Sequence, residues 1–152
     1  MHLKFRSPDY YEQRPQWLRP LVAGIEQPSA MFVLGDGDDR QRPAAVVLDR
    51  APGHVFARHA HVCERLEIVV SGSLTTEDGT TLGPGDVMIA RPGELYGPST
   101  AGPGGCVTFE VFGTLEGVYR PVYEAANGAL EQRDLLREAL DAARADDSPA
   151  SP

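Results

Sequence analysis

Apolar residues along the chain fall in short runs separated by glycine, proline and aspartate. Runs at 31–34, 44–48, 55–61, 66–70, 73–76, 86–90 and 107–112 are rich in Val, Ile, Phe and Thr. Four to seven residues is strand length, and β-branched and aromatic side chains suit a pleated, half-buried surface. Between the runs stand Gly35-Asp36-Gly37-Asp38, Ala51-Pro52-Gly53, Ser71-Gly72, Glu77-Asp78-Gly79, Gly83-Pro84-Gly85 and Arg91-Pro92-Gly93. These residues supply the backbone angles of tight turns. The turn-rich stretch 102–105 reads as one more connection. Many short strands at close spacing predict an all-β sandwich or barrel, here over 29–123.

The two ends have a different character. Residues 1–28 mix aromatics with prolines (Tyr10, Tyr11, Pro15, Trp17, Pro20, Pro28), which prevents a long helix and predicts an arm packed irregularly on the barrel. After Pro121 the period changes. Asn127 is placed to cap a helix over 129–144, within the segment 127–145, with Leu130, Leu136, Leu140 and Ala143 roughly on one face. Residues 146–152 form a polar tail expected to be mobile.

Composition narrows the classes of function. Sixteen glycines and thirteen prolines in 152 residues exceed the usual share of about 12% for the two together, which argues against a helical bundle. A formal net charge of −8 opposes binding to nucleic acid and to anionic membrane surfaces. The N-terminus lacks the apolar core of a secretory signal. Cys63 and Cys106 are too few for a disulfide scaffold, and two reduced thiols fit a cytoplasmic protein.

One stretch carries chemistry. Gly53, His59, His61, Glu64, Arg65, Glu67 and Gly72 lie close together in the strand-rich centre. Histidines at i and i+2 of a strand share a face, so both imidazoles can reach one ion or one ligand. The spacing of Gly53, His59, His61 and Gly72 resembles the first motif of the cupin superfamily, G-x5-H-x-H-x3-E-x6-G. The segment from Gly85-Asp86 through Pro92-Gly93 resembles the second, G-x5-P-x-G-x2-H. The resemblance implies a cupin-type double-stranded β-helix, a jelly-roll barrel with a ligand cavity, carrying an N-terminal arm and a C-terminal helix. It also implies a homodimer and a small-molecule substrate or ligand.

The departures from that pattern bear on the chemistry. Arg65 stands where the family's glutamate ligand falls, and Tyr96 where its third histidine falls. A guanidinium repels a metal and a neutral phenol binds one poorly. Glu67 shares the parity of His59 and His61 but lies ~6.6 Å further along the strand. A bulge near Cys63-Glu64 would shorten that distance or turn Glu64 inward. The first expectation is therefore a divalent transition metal (Fe, Zn, Ni, Mn or Cu) on His59, His61 and Glu67, with an internal Arg65–Glu67 ion pair as the competing role for Glu67. The enzyme would act on a small oxygenated or acidic organic metabolite by dioxygenase-, isomerase- or cyclase-type chemistry, with Arg65 holding the substrate's charge and Tyr96 shuttling a proton. Two alternatives use the same residues: a metal-free acid/base isomerase or epimerase on His59, His61 and Tyr96, and a non-catalytic cupin that only binds a small acid.

Overall fold

Period-two alternation organises the fold. In the computed structural model, which describes residues 1–23 and 29–146, the side chains of His61, Cys63, Arg65, Glu67 and Val69 all turn inward while Val62, Glu64 and Val70 face solvent. The strands are β1 (Ser29–Val33), β2 (Ala44–Arg50), β3 (Val55–Phe56), β4 (His59–His61), β5 (Arg65–Thr75), β6 (Thr81–Leu82), β7 (Val87–Ala90), β8 (Ser99–Phe112), β9 (Pro121–Glu124) and β10 (Leu130–Gln132). Seven of them form one antiparallel sheet in the order β1-β2-β8-β5-β6, with β3 on β8 and β7 on β5. The other three form a second sheet, β10-β9-β4. The two sheets enclose a cavity, which makes this an all-β barrel of jelly-roll type.

The long central strands contain what the sequence presents as turns. Ser71-Gly72 is a bulge inside β5, where the pairing with β8 slips at Val69/Ser71 and again at Gly72/Leu74. Gly72 has φ +74°, and a Cβ there would sit 2.1 Å from the Gly105 carbonyl oxygen, so only glycine fits. Residues 102–105 likewise belong to β8. In the other direction, the run 55–61 is broken at Ala57-Arg58 into β3 and β4, which join different sheets. Glu77-Asp78-Gly79 is the turn expected: Thr76 N–H donates to the Thr80 carbonyl, and Asp78 accepts from Thr76 and Thr80.

The C-terminal helix begins later than its apolar pattern suggests. Asn127 and Gly128 make a hairpin turn, with the Ala129 N–H donating to Asn127 Oδ1, and residues 130–132 pair with β9 as β10. Asp134 then caps α4 (Leu135–Asp146) by accepting from the Arg137 N–H. Leu136 is buried against the core, whereas Leu130 and Leu140 are exposed. The arm holds α1 (Pro8–Tyr11), a 3₁₀ turn (Gln16–Leu18) and α2 (Arg19–Ala23). Leu18 is fully buried, and Trp17 meets Tyr119 edge-on at 6.0 Å. Tyr119 ends α3 (Leu115–Tyr119), which Thr114 caps. The last residues of the expected arm, 24–28, and nearly all of the expected tail, 147–152, lie outside the described residues.

Candidate functional site

The inner faces of both sheets meet at a cavity of about 440 Å³. Met31, Val46, Leu48, Phe112 and Tyr123 give it apolar walls, and residues from α2, α3 and α4 close it. Its polar groups include Ser29, Arg50, His54, His59, His61 and Glu110.

His59 and His61 project from β4 as the alternation requires, their ring centroids 5.1 Å apart. A carbonyl oxygen can only accept, so the contacts at Nδ1 define the tautomers. His59 Nδ1–H donates to the Ala57 carbonyl and His61 Nδ1–H to the Gly117 carbonyl, each at 2.7 Å. Both Nε2 atoms therefore carry lone pairs. The Tyr96 hydroxyl donates to His59 Nε2 at 3.0 Å, and two backbone hydrogen bonds between His59 and Tyr96 hold that geometry. Burial disfavours the imidazolium at both rings. It lowers His59, and it pushes His61 down to about 4, aided by the charge of Arg65. Burial likewise raises Tyr96 and keeps it a protonated donor.

Behind the imidazoles lies a charged cluster. Glu67 on β5 is paired directly with Glu110 on β8, a like-charged juxtaposition that needs compensation. Arg65 supplies it: Nε donates to Glu110 Oε2 at 2.7 Å and Nη2 to Glu67 Oε2 at 2.6 Å, while the guanidinium lies 4.4 Å over the Tyr96 ring. Arg50 Nη2 donates to Glu110 Oε1 at 2.9 Å and lies 3.2 Å from Glu67 Oε1. Burial acts to raise Glu110, but Arg65 and Arg50 together outweigh it and hold the carboxylate down at about 2. Glu67 moves the other way, raised by burial and by the neighbouring Glu110 charge.

This arrangement corrects two expectations. Arg65 is not a wall of the cavity; it is a buried counter-ion for two carboxylates. Glu67 is engaged by guanidiniums and does not extend the histidine pair, and Glu64 points to solvent. Among the described residues no group of three His, Cys, Asp or Glu side chains is placed to share an ion. Two imidazole lone pairs and a phenol remain, beside two fixed cations, and that donor set does not fit a divalent metal. Sequence reasoning missed Arg50 and Glu110. Both were within reach of it, because each is a charge in an apolar strand with the parity of a core position: Val46, Leu48 and Arg50 on β2, and Glu110 and Phe112 on β8.

The barrel, its two facing sheets and the histidine pair at its cavity define a cupin fold. Solved structures agree. The chain superposes on an RmlC-like cupin protein from Ralstonia eutropha JMP134 with a TM-score of 0.52 at 14% identity, over 80% of this chain and 76% of that one. An acetylacetone dioxygenase from Acinetobacter johnsonii matches with a TM-score of 0.52 at 17% identity, over 93% and 91%. A putative acetylacetone dioxygenase from Methylibium petroleiphilum PM1 matches at 0.51 and 14%, over 73% and 78%. No protein-family model and no curated protein matches the sequence.

Proposed function

We propose that the barrel binds a small oxygenated organic metabolite and moves a proton on it without a metal, as an isomerase- or epimerase-type enzyme, with His61 as the group that takes and returns the proton. The observation that carries this reading is the pair of neutral imidazoles. His59 has both ring nitrogens engaged, by Ala57 and Tyr96, whereas His61 is tied at Nδ1 alone and presents Nε2 as an acceptor. His59 and Tyr96 then act as positioning residues, since their rings lie beside His61.

In the proposed step a ligand carbon next to a carbonyl gives its proton to His61 Nε2, and the electron pair moves onto the carbonyl oxygen as an enolate. The imidazolium returns the proton to a carbon of the same enolate, so no oxidant or reductant is consumed. Negative charge developing in the cavity favours the imidazolium, which lifts His61 from its depressed resting value toward the range where proton transfer is efficient.

The test is ¹H NMR in D₂O with a panel of small 2-keto acids and 1,3-dicarbonyl compounds. Deuterium is expected to enter carbon-bound positions of a panel member, and exchange is expected to stop in His61→Asn, whose side-chain amide can still donate to the Gly117 carbonyl. Binding without exchange across the panel would instead support a cupin that only holds its ligand. A stoichiometric transition metal in purified protein, lost in His59→Ala and His61→Ala, would overturn the metal-free step.

A further inference from the structure

Arg50 stands out among the buried charges because two of its three guanidinium nitrogens are unused, against one on Arg65. Its side chain is 3% exposed and forms part of the cavity wall. Nη2 serves both Glu110 and Glu67, but Nε and Nη1 are buried without a hydrogen-bond partner. Burying guanidinium N–H groups without an acceptor is costly, and a ring face offsets it only in part. The pairing within the cluster points the same way. Two guanidiniums face two carboxylates, and one of these, Glu67, has an oxygen without a hydrogen-bond donor. Burial and the Glu110 charge raise the Glu67 carboxyl, so it is a weaker counter-ion for Arg50 than Glu110 is.

What covers Arg50 is an aromatic ring. The guanidinium carbon lies 3.4 Å from the centroid of Phe56, and His54 packs on the same ring at 4.4 Å. Phe56 belongs to β3, a strand of two residues, and is itself a half-buried part of the cavity wall. The backbone beside it is pinned to β8 by hydrogen bonds of Gly53 and His54 with Ala101. With the backbone fixed, any movement of this cover is rotation of the Phe56 side chain, not of β3.

We propose that Arg50 is the anchor for a carboxylate on the ligand, and that the Phe56 ring is a movable cover that the ligand displaces. The ligand class follows from the rest of the cavity. About 440 Å³ of mainly apolar wall suits a small monocarboxylic acid with an apolar body, held by one charge-assisted contact at the Arg50 end. The inference deepens the reading above by naming the ligand class and rests on it for the cavity, not for proton transfer.

The experiment is calorimetric titration of the wild-type protein with benzoate and hexanoate, each beside its neutral amide. The acids are expected to bind roughly ten- to a hundredfold more tightly than the amides, the range of one charge-assisted contact. The Arg50→Gln/Glu67→Gln variant, which removes one charge of each sign, is expected to abolish that preference. Phe56→Ala, which removes the cover, is expected to bind the acids more tightly, because the closed form no longer competes. Amides binding as well as acids, or no acid binding at millimolar concentration, would overturn the anchor without reference to any variant that fails to fold. Unchanged acid affinity in Phe56→Ala would overturn the cover. Acid-selective binding with no deuterium exchange would sink the proton-transfer step and leave the anchor standing.

Discussion

His61 illustrates how a single side chain reports its surroundings. Burial favours its neutral form, so the folded state binds a proton less readily than the unfolded chain. Its contribution to stability is fully present above pH ~6.5 and is lost as pH falls toward about 4, amounting to roughly 3 kcal/mol across that window. Urea denaturation midpoints measured from pH 7 to pH 4 are expected to decline more steeply in the wild type than in His61→Asn, and parallel curves would contradict this account. Arg65 presents the converse case. Removing it leaves Glu67 and Glu110 facing each other with only Arg50 between them, so Arg65→Ala is expected to lose about 3–5 kcal/mol of stability. Adding Glu67→Gln to that variant is expected to restore part of the loss, because the uncompensated charge is then gone.

At the scale of elements, the decisive feature is how strands were divided and joined. The sequence presents Ser71-Gly72 as an end of strand, yet there glycine allows β5 to continue through a bulge against Gly105. Gly72→Ala is expected to be far more disruptive than Gly79→Ala. Both positions have positive φ, which costs roughly 1–2 kcal/mol for a side chain, but only at Gly72 does the new Cβ strike backbone. Thermal unfolding of the two variants side by side measures the difference. The C-terminal helix makes a similar point about caps. Asn127 and Asp134 are both suitable residues, and the choice between them depended on β9 offering residues 130–132 a partner strand. Asp134→Ala is expected to cost about 1 kcal/mol and reduce helical circular dichroism, while Asn127→Ala leaves the helical signal unchanged.

For the whole molecule, the cavity lies between two sheets whose inner faces are built differently. The large sheet contributes Arg50, Glu110 and most of the apolar wall, and the small one contributes His59, His61 and Tyr123. Since both interior carboxylates already neutralise guanidiniums, prolonged chelation is expected to leave Tm unchanged. A drop in Tm reversed by one added transition metal would show a bound ion that the donor set does not provide for. No helix among the described residues is long and apolar enough to cross a membrane, in keeping with the broken, turn-rich pattern of the chain.

The sequence by itself determined the fold class and the shared face of His59 and His61. Strand length, turn residues and period-two parity are local properties, and a chain of 152 residues displays them without reference to its tertiary partners. The resemblance of the glycine and histidine spacing to cupins was legible for the same reason. The candidate site was legible only in part. Parity placed Arg65 and Glu67 in the interior, but whether they met a ligand, a metal or each other depended on Glu110, 45 residues beyond Arg65, and on Arg50, 60 residues before Glu110. Such contacts arise from strand register between β2, β8 and β5, and register is a property of the assembled sheet. Tertiary structure alone therefore decided that the interior carboxylates answer arginines, and that one arginine keeps two nitrogens unpaired at the cavity wall.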